Sequence, residues 1–151
     1  MIRYLIIISI AFALLSLTHA SIPKETISVP VTKLDTIKFN GEDYKLKSSN
    51  PSEIGTQEVF EGPKAFITRI SGTSNPKYEV AGAAKIEGAK LFWQSDESLG
   101  FQYDVKGRKV LEIWLFSDNQ TLAYTEITDQ LPKKEDLEKI VTNLSSLKNN
   151  L

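Results

Sequence analysis

Residues 99–127 combine a side-chain alternation with two turn signals, and this pattern constrains the fold more than any other part of the sequence. The turn signals are Lys106-Gly107-Arg108 and Asp118-Asn119. Alternate side chains of a strand point to opposite faces of a sheet, so the residues that share the buried face fix the register. The pattern predicts three consecutive antiparallel strands.

The register of these strands follows from the lengths of the two turns. A three-residue loop at 106–108 pairs Tyr103 with Leu111, and a two-residue turn at 118–119 pairs Leu115 with Leu122. One face of the predicted sheet is then continuously apolar or aromatic, and it carries Leu99, Phe101, Tyr103, Leu111, Ile113, Leu115, Leu122 and Tyr124. We therefore expect this face to be covered.

Further strands are predicted before this region. Asn40-Gly41 is the strongest hairpin signal, because both residues tolerate a positive φ. Two strands are predicted near 56–61 and 64–71, and residues 48–53 read as a loop. Another hairpin, turning at Glu87-Gly88, is predicted to set small residues against large ones. Its predicted pairs are Ala84 with Leu91 and Gly82 with Trp93.

The C-terminus predicts one amphipathic helix. Leu137, Ile140, Val141 and Leu144 recur at positions i, i+3, i+4 and i+7, which is the spacing of an apolar helix stripe. Such a stripe is usually buried against another element. We therefore expect an α+β fold, an antiparallel β-meander sheet with this C-terminal amphipathic helix packed on one face.

The first twenty residues have the three parts of a cleavable secretory signal. A short basic start containing Arg3 precedes the apolar run Leu5 to Leu17, and the segment ends in the small residue Ala20. The apolar run is shorter than the roughly 20 residues that a membrane-spanning helix needs. We predict that residues 1–20 are removed and that residues 21–151 form a single α+β domain, secreted or periplasmic and without an integral membrane segment.

Composition narrows the available chemistry. There is no cysteine, and the only histidine, His19, and the only methionine, Met1, lie in the predicted signal. Residues 21–151 therefore cannot form a Ser-His-Asp triad, a Cys-His pair or a histidine-based zinc or copper site. No cofactor or metal is predicted. The net charge is −1 without a basic stripe, which argues against nucleic acid as a partner.

The second face of the predicted sheet is the candidate site. In the predicted register Gly100 and Ala123 flank the indole of Trp114, and the predicted binding residues are Trp114, Phe116, Glu112, Gln102 and Thr125. Gln102 and Thr125 lie on either side of Glu112. An exposed aromatic beside a few polar groups is typical of a binding face. The alternative is that this face packs on the N-terminal strands, with Trp114 as a core residue.

These observations favour an exported, non-enzymatic binding or inhibitor-type protein that acts on a macromolecular partner, either a protein or a glycan. Two alternatives remain open. A carrier could hold a small apolar ligand between sheet and helix. A glycan hydrolase could use Glu112 and Asp104, which share a face in the predicted register, because such enzymes need two carboxyl groups roughly 5–10 Å apart.

Overall fold

A computed structural model describes residues 34–52, 55–72, 76–86 and 88–151. The predicted signal at 1–20 lies outside the described residues. Within the described ranges, no helix has both the length and the apolar character needed to cross a membrane.

In the described part of the chain, eight antiparallel strands form one sheet, and two helices pack on it. The strands are β1 (Thr36–Phe39), β2 (Glu42–Ser52), β3 (Gly55–Glu61), β4 (Ala65–Ser71), β5 (Lys90–Gln94), β6 (Ser98–Val105), β7 (Arg108–Leu115) and β8 (Gln120–Ile127). The helices are α1 (Lys77–Ile86), between β4 and β5, and α2 (Lys134–Asn150), at the C-terminus. The order across the sheet is β1-β2-β3-β4-β8-β7-β6-β5. The predicted fold class is confirmed.

Helix α2 covers one face of the sheet, which we call the α2 face. Leu137, Leu144 and Leu147 are buried there, and Ile140 and Val141 pack against the same cluster. The predicted apolar stripe is therefore the packing surface of the helix. Burial of each such side chain contributes about 1.5–3 kcal/mol of transfer free energy.

The hairpin at Asn40-Gly41 is confirmed. Both residues have positive φ, 53° and 78°, and Phe39 pairs with Glu42 directly across the turn. A two-residue turn of this kind matches the right-handed twist of the strands it joins. The strands predicted near 56–61 and 64–71 correspond to β3 and β4.

The loop predicted at 48–53 is wrong, because β2 continues to Ser52 and pairs with β3. Pro51 lies inside this strand, opposite Thr56. Proline donates no backbone hydrogen bond and is therefore tolerated at a sheet edge. The pairs between β1 and β2 reach only to Lys45, so the second half of β2 is itself an edge.

The hairpin predicted at Glu87-Gly88 is also wrong, since helix α1 occupies residues 77–86. Val80 and Ala83, three positions apart, are buried, which is helical spacing. Alanine is the best helix former, and Glu79 and Lys85 lie at the helix ends that favour their charges. These residue preferences outweigh the turn signal.

The register predicted between β6 and β7 is shifted by one residue. Lys106 and Gly107 both have positive φ, 49° and 78°, so the turn has two residues and Val105 pairs with Arg108. Tyr103 therefore lies opposite Val110 rather than Leu111. The register predicted between β7 and β8 is confirmed, because Leu115 pairs with Leu122.

This shift moves three aromatic and apolar residues of β6 to the other face of the sheet, which we call the α1 face. Helix α1 packs there, and the buried cluster on this face includes Leu99, Phe101, Tyr103, Val110, Trp114 and Phe116. The protein thus has a layer of helix on each side of the sheet.

The sheet curves around α2. The rings of Phe39 and Tyr124 lie 5.7 Å apart, although three strands separate β1 from β8 in the sheet. The side chain of Asn143 on α2 hydrogen-bonds to that of Asn40 in the first hairpin. The curvature therefore brings edge strand β1 close to the C-terminal half of α2.

Candidate functional site

The face that carries the predicted binding residues is not uncovered, because α1 packs on it. Trp114, Phe116, Glu112 and Thr125 are all buried, with Trp114 only 4% exposed. Gln102 is half-buried and lies opposite Leu111, so it does not flank Glu112. A binding role for these residues stays a prediction, and it would require α1 to move.

Part of the predicted arrangement on this face is present. Glu112 pairs with Thr125, and Trp114 lies opposite Ala123 as predicted. Gly100, in contrast, lies opposite Ile113 and not opposite Trp114. The rings of Trp114 and Phe116 are stacked, with centroids 6.1 Å apart, so the aromatic pair packs as part of the buried core.

Glu112 is a buried carboxyl group held by two hydrogen bonds. The Tyr103 hydroxyl donates to Oε1 over 2.7 Å, and Trp114 Nε1 donates to Oε2 over 2.9 Å. Burial raises the pKa of Glu112 above its usual value of 4.5, and the two hydrogen bonds partly oppose this shift. The two hydrogen bonds therefore fix the position of the buried Glu112 carboxyl group within the core.

The carboxylate pair proposed for a glycan hydrolase is not formed. Asp104 pairs with Lys109, while Glu112 pairs with Phe101, so the two acids lie on opposite faces of the sheet. Asp104 is exposed and Glu112 is buried. The prediction that they share a face is wrong because the register between β6 and β7 is shifted by one residue.

Glu112→Gln is expected to remove a pH dependence of stability. A carboxyl pKa that is raised in the folded state means that the unfolded chain releases its proton first, so stability falls as pH rises above 4.5. Urea unfolding from pH 4.5 to pH 8 should show the wild type losing stability relative to the variant. Parallel curves for the two proteins would contradict this assignment.

The curvature of the sheet leaves an open groove between β1 and α2, which we call the β1–α2 groove. Its volume is about 810 Å³. Its walls are rich in neutral amides, from Asn40, Asn119, Gln120, Asn143 and Asn150. Hydroxyls of Thr36, Ser71 and Ser146 lie among them. The aliphatic residues of its lining are Leu34, Ile37, Leu147 and Leu151.

One wall of this groove is a stripe along α2. Asn143, Ser146 and Asn150 are spaced at i, i+3 and i+7, so they lie on one side of the helix. Gln120, at the start of β8, is oriented by donating from Nε2 to the backbone carbonyl of Lys148 over 2.8 Å. The hydrogen bond between Gln120 and α2 therefore keeps the amides of β8 and α2 together at the groove.

A buried ion pair lies beside the groove. Arg69 on β4 lines it and is 3% exposed, and its partner Glu58 on β3 is 2% exposed. Arg69 Nε donates to Glu58 Oε2 over 2.6 Å. Nη2 is 2.5 Å from the same oxygen but makes no aligned hydrogen bond. Glu58 neutralises Arg69, and Lys38, the other cation in the described lining, lies 4.0 Å from Asp43.

A smaller groove lies on the other side of α2, with a volume of about 360 Å³. We call it the serine groove, because Ser95, Ser98 and Ser145 line it. Ser95 and Ser98 hydrogen-bond to each other over 2.6 Å, and Trp93 Nε1 donates to Ser98 over 2.8 Å. Two of its hydroxyls are therefore already engaged.

Sequence reasoning missed the β1–α2 groove entirely. Its polar residues come from β1, β4, β8, α2 and the turns next to β1 and β8, and each one reads as ordinary surface in the sequence. The only sequence signal available was that Asn143, Ser146 and Asn150 share a helix face, with the same spacing as the apolar stripe.

Among the described residues, no group of three or more His, Cys, Asp or Glu side chains could hold a metal ion. Comparison of the chain with models of protein families, with curated proteins and with solved structures finds no match.

Proposed function

We propose that this chain is a non-enzymatic binding protein that holds a macromolecular partner in the β1–α2 groove. We propose further that it acts outside the cytoplasm, in the periplasm or the extracellular space, which rests on the signal-like residues 1–20. The observation that carries the proposal is the groove itself, a concavity of about 810 Å³ whose described lining is rich in neutral amides and hydroxyls.

The lining of the groove favours binding over catalysis. No Asp or Glu side chain from the described ranges lines it, and residues 21–151 contain no histidine or cysteine. A hydroxyl nucleophile such as that of Ser71 or Ser146 needs an activating base, most often His, Asp or Glu, and none of these lines the groove in the described ranges. Arg69, the buried cation of the groove, is already paired with Glu58.

The same lining favours a macromolecule over a small apolar ligand. A site for an apolar ligand is mostly apolar and encloses most of the ligand surface. Here residues with amide or hydroxyl side chains outnumber the aliphatic ones in the described lining, and the groove is open to solvent. Such a surface fits part of a larger, hydrogen-bonding partner.

Asn150→Trp and Asn149→Trp form a matched pair that tests this proposal. Both residues are exposed on the last turn of α2, but Asn150 lines the β1–α2 groove and Asn149 lines the serine groove. An indole at position 150 should obstruct the first groove. We expect the Asn150 variant to lose the partner and the Asn149 variant to keep it.

The measurement is affinity capture from the extracytoplasmic fraction of the source organism. A cysteine introduced at Lys109, at the opposite end of β7 from the groove, gives a single attachment point because the chain has no other cysteine. Partner retention that is equal in both variants, or lost only in the Asn149 variant, would contradict the proposal.

A further inference from the structure

We propose that the partner enters the β1–α2 groove as an extended polypeptide segment and adds as a strand to the outer edge of β1. This inference rests on the proposed function and names the chemical class of its ligand. It is carried by the hydrogen-bond pattern of the first hairpin together with the chemistry of the groove walls.

The hairpin pattern determines which backbone groups of β1 face outward. Phe39 and Glu42 flank the two-residue turn, and the carbonyl of Asp35 accepts a hydrogen bond from Leu46 N over 2.8 Å. In an antiparallel pair, residues that bond to the partner strand alternate with residues that point away. The N–H and C=O groups of Thr36 and Lys38 therefore point away from β2.

Thr36 and Lys38 both line the groove. Across the described part of the chain, β1 is the last strand of the sheet on this side, so the outward groups lie at an open edge. Two residues at positions i and i+2, each with a donor and an acceptor, are what an added strand pairs with. The open edge of β1 therefore forms part of the β1–α2 groove.

The groove walls complement a peptide backbone. Each Asn or Gln side chain offers both a donor and an acceptor, which matches the N–H and C=O of a peptide group. Asn150 on α2 lies across the groove from β1, where it can bond the second side of an added strand. Asn143 donates from Nδ2 to Asn40, so we assign only its Oδ1 acceptor to the added strand. Leu34 and Leu151, the half-buried aliphatic residues of the lining, can contact apolar side chains of the added strand, whereas Ile37 and Leu147 are buried in the core.

The charge and aromatic content of the groove disfavour other ligand classes. In the described lining, both cations have an acidic neighbour, because Glu58 neutralises the guanidinium of Arg69 and Asp43 Oδ1 lies 4.0 Å from Lys38 Nζ. This disfavours a phosphate or a carboxylate as the ligand. Phe39, the one aromatic residue among the described residues that line the groove, is 2% exposed and offers no flat surface for a sugar ring or a base.

Lys38→Pro and Lys38→Ala test the strand addition. Proline removes the outward N–H of position 38 and leaves the bonds between β1 and β2 intact, whereas alanine keeps the N–H and removes only the side chain. We expect proline to weaken peptide binding about tenfold or more and alanine to change it less than about twofold.

The probe is a phage-displayed library of random twelve-residue peptides, selected on the wild-type protein and counter-selected on the Asn150→Trp variant. Enriched peptides are synthesised, and their affinities for both Lys38 variants are measured by calorimetry. Urea unfolding confirms that the proline variant is folded, and Thr36→Pro replaces it if it is not.

Equal binding of the peptides by the proline and alanine variants would overturn the strand addition, while the proposed function would stand on the Asn150 result. A selection that enriches no peptide, with the cellular partner still lost in the Asn150 variant, would overturn it too and indicate a glycan or another class. Wild-type dimers in sedimentation that Lys38→Pro dissolves would show that the edge pairs with a second copy instead.

Discussion

Arg69→Ala is expected to lower the free energy of unfolding by about 3–5 kcal/mol. The substitution removes the partner of Glu58, which is only 2% exposed, and leaves its carboxylate buried without a compensating charge. Several kcal/mol of desolvation are then no longer offset by the ion pair. Urea unfolding of the isolated protein at pH 7 measures the loss.

Two controls separate this effect from a general sensitivity to lost charge. Lys134→Ala breaks an exposed ion pair with Glu138 on α2 and should change stability by less than about 0.5 kcal/mol. The double variant Arg69→Met, Glu58→Leu removes both buried charges and should recover most of the loss. A double variant as unstable as Arg69→Ala would contradict the burial of the pair.

Trp114→Ala is expected to destabilise the fold by about 3–5 kcal/mol. The indole is 4% exposed, stacks on Phe116 and donates a hydrogen bond to Glu112, so its removal opens a cavity and leaves a buried acceptor with one donor fewer. A shift of the urea midpoint measures the effect.

Tyr78→Ala is the matched control for this substitution. Tyr78 is an aromatic residue on α1 with 88% of its surface exposed, and its removal should change stability by less than about 0.5 kcal/mol. If Trp114→Ala left the midpoint unchanged while partner binding was lost, the indole would be an accessible binding group, as the sequence suggested.

The strand register was predicted correctly for the β7–β8 hairpin and wrongly for the β6–β7 hairpin, and the difference has a physical reason. Strand β7 is apolar on both faces, because Leu111, Ile113, Val110 and Trp114 are all buried. Either register of β6 therefore gives an apolar face, and side-chain alternation cannot choose between them. The observed register depends on a turn in which Lys106, a non-glycine residue, has a positive φ. Sequence propensities disfavour a positive φ at such a residue.

Helix α1 was missed because its short sequence supports two structures. Val80-Ala81-Gly82-Ala83-Ala84 reads as small residues facing large ones in a hairpin, and it is equally a run of strong helix formers around one glycine. The error carried over to the site, because the helix covers the face that was expected to be open.

The β1–α2 groove was not predictable, since it exists only after the sheet curves. Asn40 and Asn143 are 103 positions apart and hydrogen-bond in the fold, yet neither belongs to a motif. Neutral amides at a surface have no spacing that distinguishes a binding wall from solvated side chains. Only the contact between the first hairpin and α2 brings them together.

The most direct test of the proposed function is site-specific photo-cross-linking in cells of the source organism. A benzophenone amino acid replaces Asn150 in one strain and Asn149 in another, so that the probes enter the two grooves on either side of α2. We predict a discrete cross-linked product from position 150 and none from position 149. A product from position 149 alone, or the same product from both positions, would contradict a partner held in the β1–α2 groove.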